Sequence, residues 1–218
     1  MKKNINDFGF IELIDTMGTA SSIVNAARVS FGKRTKGPLN DKDKKLIKYL
    51  WEHKHTSPFR HVFFTFHIKA PIFVIRQWQK HQVGCSWNEI SGRYVQLENR
   101  VYCPDSWRRS IKDVKQGSGG PLDNQEDLND LYLSACEYSH ATYRELLNRG
   151  VAREQARMIL PVSQFTQCYW SASLHAVIHF LNLRLAQDAQ AEIRYYAEAI
   201  KTVIEKNEEF KFILDVCL

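Results

Sequence analysis

The sequence predicts an α+β fold: a mixed, helix-rich single domain around a small central β-sheet. Three observations point there. The chain has 218 residues, 44% of them hydrophobic, which suits one domain with a sizeable core. Most windows place apolar residues three or four apart, the spacing of a helix face. Between them lie a few runs dense in aromatic and β-branched residues, such as "VFFTFHIKA", that suit strands. One domain is expected over residues 1–218.

Taken in order, "FGFIELIDTMG" reads as a strand ending at Gly18. "TASSIVNAARVSF" reads as a helix capped by Thr19, with Ile23, Ala26, Ala27 and Phe31 on its apolar face. "GKRTKGPLND" is a turn-rich loop, after which Asp41 caps a helix to about His53 with Leu46, Ile47, Leu50 and Trp51 inward. "HKHTSPFRH" is a polar hinge around Pro58, and "VFFTFHIKA" is a strand. Pro71 opens the helix "PIFVIRQWQKH", whose apolar face is Ile72, Phe73 and Ile75. "RYVQLE" has the alternation of a short strand, and "KQGSGGPLDNQED" is the most loop-like segment. Asp123 is expected to cap a long helix to Asn148, stopped by Gly150. "AREQARMIL" reads as a helix ending at Pro161, and "SQFTQCYWSAS" fits a strand or irregular chain. "LHAVIHFLNLRL" and "AQAEIRYYAEAIKTVIEKN" read as two further helices.

Charged residues make up 25% of the chain, and the net charge is +6. That balance argues against disorder and fits an anionic ligand, although the basic residues are scattered. The five cysteines contain no CxxC, which argues against both a disulfide framework and a zinc ribbon. "MKKNINDFGF" lacks the apolar core of a signal peptide. No run approaches the roughly 18 apolar residues of a membrane span. A cytoplasmic protein is expected.

The window "QKHQVGCSWNEISGRY" concentrates hydrogen-bonding side chains around Cys85. His81 precedes that cysteine by four residues, so a nucleophilic Cys–His pair is conceivable, but proximity in sequence does not activate a thiol. His53, His55 and His61 cluster near a proline turn without HExxH spacing, and no metal is expected. His175 and His179 are four apart on an otherwise apolar helix, where packing or ligand contact is the reading. Neither a Walker lysine loop nor GxGxxG occurs, so any phosphate must be held by side chains. Arg76, Lys80, Arg93, Arg157 and Arg184 are the candidates, helped by amides near Ser91 and Gly92. A lone arginine is usually a solvated charge, but Arg184 directly follows an apolar helix face.

Four stretches, in order and spacing, carry a family resemblance: "HTSPFRH", "PIFVIRQWQKHQ", "NEISGRY" and "AREQARMILPVSQFTQCYW" running on into "FLNLRLAQDAQAEI". Together they resemble the flavin-dependent thymidylate synthase family over most of the chain. The resemblance implies that family's fold and its reductive methylation of dUMP to dTMP. Methylenetetrahydrofolate would be the one-carbon donor, FAD the hydride carrier and NADPH the reductant. It also implies a homotetramer with active sites at subunit interfaces.

By position, the resemblance makes Arg184 the catalytic residue, steadying charge on the pyrimidine. It assigns dUMP to Gln77, Trp78, Lys80, Glu89, Ile90, Ser91, Gly92, Arg93 and Arg157. It assigns FAD to Ser30, His55, Ser57, Lys80, His81, Gln82, Glu89 and His179. Cys85 matches no catalytic position of the family. Departures fall inside the signature. Lys80-His81-Gln82 replaces the family's Arg-His-Arg, the following loop is one residue longer, Arg60 stands where a glutamate is usual, and His179 where an asparagine is. Two other readings stay open: a family member with reduced or lost catalysis, and an RNA- or nucleotide-binding module stacking bases on Trp78, Trp87 and Tyr94.

Overall fold

The computed structural model describes residues 1–5, 8–112 and 117–218. Five strands form one sheet in the order β1-β2-β3-β5-β4, every neighbouring pair antiparallel. They are β1 (Lys2–Asn4), β2 (Phe10–Met17), β3 (Phe63–Pro71), β4 (Cys85–Glu89) and β5 (Phe165–Ser173). The helices are α1 (Ala20–Arg28), α2 (Asp41–Glu52), α3 (Ile72–Trp78), α4 (Gln125–Asn148), α5 (Arg153–Ala156), α6 (Leu174–Arg184), α7 (Ala191–Ile204) and α8 (Glu208–Cys217). The fold is therefore α+β, with helices outweighing a small central sheet.

Side-chain alternation decides which sheet face is covered. On β3, Phe64, Phe66, Ile68 and Ala70 are all buried, while Phe63, Thr65, His67 and Lys69 between them are partly exposed. Phe66 lies opposite Trp170 of β5, and their rings stack at 5.8 Å. This face meets α1, α6, α7 and α8 in one continuous core. Beneath α7, α6 buries Leu174, Ala176, Val177, Ile178, Phe180 and Leu181 and so is apolar around most of its girth. The opposite face is polar, with Thr65 and Ser171 sharing a 2.9 Å hydroxyl bond and His67 bonded to Gln167.

Several expectations are corrected. Asn40, not Asp41, caps α2, because its Oδ1 accepts from both Lys42 N and Asp43 N. The long helix likewise has Asn124 at its cap position, while Asp123 pairs with Arg109 at 2.8 Å. Gly150 ends that helix with a φ of 83°, the left-handed value that favours glycine. Phe31 lies beyond α1 in a 3-10 turn and is 78% exposed. The "PIFVIRQWQKH" helix stops at Trp78, before Lys80. "AREQARMIL" is only a four-residue helix followed by a 3-10 turn. "RYVQLE" is turn and coil, and the strand near it is β4, inside the polar window. Asn6 and Asp7, within "MKKNINDFGF", lie outside the described residues, as do Lys115 and Gln116 of the loop segment. Among the described residues no helix is long and apolar enough to cross a membrane.

Candidate active site

Arg184 is the last residue of α6, a helix that continues directly from β5. The hydroxyl of Ser173 caps that helix by accepting from Ala176 N at 3.2 Å. This rigid mount carries the guanidinium to the edge of the core. His81 reaches the same point from the turn after α3, where its N–H bonds Trp78 O at 2.9 Å. Arg184 Nε then donates to His81 Nε2 at 3.0 Å. An arginine can only donate, so Nε2 must be unprotonated and the imidazole neutral. Burial chiefly, then the charges of Arg184 and His179, lower the His81 pKa to about 4. His81 is 8% exposed, with the Phe180 ring edge-on at 5.2 Å and the His179 ring at 5.6 Å. Burial also lowers the Arg184 pKa from its ordinary value.

Arg184 and Gln77 line a cleft of about 610 Å³ with Arg108, Arg194, Ser118 and Asp188. Arg108 is paired with Glu192, so Arg184 and Arg194 against Asp188 leave the cleft mildly basic. Gln77 Oε1 is buried there without a hydrogen-bond partner among the described residues. The terminal nitrogens of Arg184 likewise have none, since its bond to His81 uses only Nε. The cleft therefore offers a free acceptor and a half-buried positive fork to a ligand.

A second group of expected site residues surrounds the end of β4. Glu89 Oε1 accepts from Thr166 Oγ1 at 2.7 Å, and Gln79 Nε2 approaches Oε2 at 3.5 Å. Ile90 N bonds Gln167 O, and the chain then turns, with Tyr94 N on Ser91 O and Arg93 N on Ser91 Oγ. A side chain on Gly92 would lie 3.2 Å from Arg157 Cδ and 3.0 Å from Leu97, so glycine is what lets Arg157 pack against this turn. Arg93 and Glu154 form an exposed 3.7 Å ion pair that contributes little. None of Glu89 to Arg93, nor Arg157, lines the cleft that holds Gln77 and Arg184.

The remaining expected residues are spread over several elements. His179 is exposed on α6, and Lys80 and Gln82 are exposed on either side of His81. Ser57 begins a 3-10 turn that packs on α1 and α6, and His55 just before it is exposed with its ring 6.3 Å from Tyr49. Ser30 is exposed in the 3-10 turn after α1. Trp78 is different: it is 0% exposed and stacks on Phe180 at 4.4 Å. Its ring is a core element, so the expectation that this side chain holds dUMP does not fit this protomer.

Cys85 is half-buried, and its thiol donates to Val83 O at 3.6 Å. Burial raises its pKa, which keeps it a thiol rather than a nucleophilic thiolate. The sequence reading missed Arg108, Arg194 and Glu192. Glu192 had a signal: it shares a helix face with Tyr196 and Ile200, four and eight residues on, so its carboxylate was bound to be buried.

Fold and cleft together define an α+β protein with a mildly basic cleft beside an arginine fixed by His81. Residues 12–207 match the family model Thy1, described as thymidylate synthase complementing protein. The chain is 46% identical over 214 residues to the flavin-dependent thymidylate synthase of Thermosipho africanus, covering 97% of this chain and 92% of that one. It is 49% identical over 200 residues to the protein of that name from Thermus thermophilus, covering 92% and 73%. The solved structure of the UMP/dUMP methylase PolB from Streptomyces cacaoi, bound with 5-Br dUMP, superposes with a TM-score of 0.85 at 31% identity, over 94% of this chain and 93% of that one. The chain belongs to the flavin-dependent thymidylate synthase (Thy1) family.

Proposed function

We propose that this chain methylates dUMP reductively to dTMP, with methylenetetrahydrofolate as one-carbon donor, FAD as bound cofactor and NADPH as reductant. The observation that carries the reading is Arg184, held through Nε by neutral His81, with its terminal nitrogens free in the cleft that also holds the unpartnered Gln77 Oε1. A uracil ring offers carbonyl oxygens to the guanidinium and an N3–H to an amide oxygen. Negative charge developing at N3 and its flanking carbonyl would be stabilised by a preorganised fork in a half-buried site. His81 cannot take that charge itself, because its role as acceptor fixes it neutral and aims Arg184. Arg93 and Arg157, exposed cations beside the Ser91–Gly92 turn, suit the nucleotide phosphate.

The residues expected around the flavin fit such a group chemically. Ser30, His55, Ser57, Lys80, Gln82 and His179 are all exposed, and they offer hydroxyls, imidazoles, an amide and one cation, as a diphosphate requires. When bound, FAD would supply hydride transfer. Because the Arg184 cleft includes none of Glu89 to Arg93 or Arg157, one protomer offers two partial sites. That fits an assembly in which different protomers complete each site; the homotetramer and the cytoplasmic location are proposed from the resemblance to the family. The test is anaerobic incubation with dUMP, methylenetetrahydrofolate, FAD and NADPH. dTMP formation and dUMP-dependent NADPH oxidation are expected. A colourless protein that refuses flavin and leaves dUMP unchanged would end the reading.

A further inference from the structure

Beside the basic cleft lies a second chamber of about 390 Å³, within the range of small-molecule sites. Arg108, Ser118 and Gln190 line both, so Arg108 forms part of the wall between them. The chamber is aromatic, with Phe73 edge-on to Tyr102 at 5.8 Å and Trp107 edge-on to Tyr132 at 5.2 Å. Hydrogen bonds fix these walls: Trp107 Nε1 donates to Asn129 Oδ1 at 2.7 Å, and the Tyr132 hydroxyl to Tyr102 O at 2.6 Å.

One polar group in this lining is incomplete. Glu192 is 4% exposed, in the first turn of α7. Its Oε1 accepts from Arg108 Nη2 at 2.8 Å and from the Tyr102 hydroxyl at 3.4 Å. Its Oε2 is buried with no partner among the described residues. Buried polar atoms are rarely left so, and a carboxylate oxygen is the costliest acceptor to abandon. Arg108 already balances the charge, so the missing partner need not be a cation. A neutral N–H suffices. Burial, then the Glu192 charge, raises the Tyr102 pKa, so the phenol remains a donor and leaves Glu192 as the acceptor.

We infer that this chamber is a second ligand site for a flat heteroaromatic ring bearing an exocyclic amino group, stacked on the aromatic walls with the amine donating to Glu192 Oε2. Adenine and pterin share that chemistry. The site goes beyond the proposed reaction and does not depend on it, because it is read by binding without turnover. The test is calorimetric titration of the whole protein with excess dUMP present. One arm compares adenosine with purine riboside, which lacks the amine. The other compares pterin with its 2-deamino analogue. At least one amino ring should bind once per chain, about tenfold or more tighter than its deamino partner, the scale of a hydrogen bond to a charged acceptor. Which arm responds identifies the source. Glu192→Gln should erase the preference, and Ser106→Phe, which fills the chamber and keeps the Arg108–Glu192 pair, should abolish binding. Failure of both amino rings to bind, equal affinity with and without the amine, or binding that survives Ser106→Phe would each overturn the site. The wild-type comparison and Ser106→Phe stand even where Glu192→Gln does not fold.

Discussion

Arg184 Nε and His81 Nε2 lie 3.0 Å apart, a bond between residues 103 positions distant in sequence. It joins the end of α6 to the turn after α3 and uses the one guanidinium nitrogen that does not belong to the terminal fork. Arg184→Ala should therefore keep flavin binding and lose turnover by about 10²-fold or more, the scale of one lost donor in a preorganised site. Arg184→Lys should not rescue it, because an ammonium is a point charge without the second, orienting nitrogen. dTMP formation and the flavin absorption spectrum read the two effects separately. Near-normal turnover in Arg184→Ala would remove its role.

Stability should fall in acid because of His81. The folded pKa is about 4, below the ordinary 6.5. As pH drops through 6.5 the unfolded chain takes up a proton that the folded chain refuses until about pH 4. The contribution is full above pH 6.5 and is lost across that window. After allowance for solvent screening it amounts to roughly 1–2 kcal/mol. His81→Gln keeps an oxygen acceptor for Arg184 but cannot titrate. Urea unfolding at pH 7 and pH 4.5 should show a larger acid loss in wild type than in this variant. Burial also lowers His140 and His175, but both remain in the two proteins and largely cancel. Equal acid losses would mean that His81 is charged in the folded chain.

The central strands were legible because β3 alternates buried and half-exposed residues, the two-residue period of a half-covered sheet. β5 alternates in burial too, but its inward residues Thr166, Cys168, Trp170 and Ala172 mix polar and small side chains while Tyr169 faces outward. The alternation is therefore not one of hydrophobicity, and the stretch stayed open between strand and irregular chain. β4 was hidden for the opposite reason. It is an edge strand paired only with β5, and "CSWNE" is polar apart from Trp87 and Cys85. "RYVQLE" alternates, but the turn at Ser91 captures its backbone amides before any strand can. Arg184 stood out by following an apolar run. Its bond to His81 did not, because nothing local in either segment encodes a contact made through the whole core.

Cys85 should be dispensable. Its burial-raised pKa and its bond to a backbone carbonyl hold it protonated, and β4 carries it as a packing residue against the core. Cys85→Ser is close in size and should keep most turnover, measured as dTMP formed under saturating substrates. A loss of about 10³-fold with flavin binding intact would restore a covalent role for the thiol.

Trp78 provides the sharpest separation of structure from binding. Its ring is wholly buried, 4.4 Å from Phe180 and 5.1 Å from Trp170, so Trp78→Ala should cost about 3–5 kcal/mol of stability. Its Nε1 has no hydrogen-bond partner among the described residues. Trp78→Phe therefore loses no hydrogen bond and removes an unsatisfied donor, and it should cost roughly 1–2 kcal/mol for lost volume alone. Denaturant midpoints check the two costs, and dUMP titration of the Phe variant checks function. A stable Trp78→Phe protein with unchanged dUMP affinity is expected, since the ring presents no surface to the cleft. If that variant stays stable and loses dUMP binding by tenfold or more, the indole reaches the nucleotide after all, and the packing of α3 against α6 must open when ligand enters.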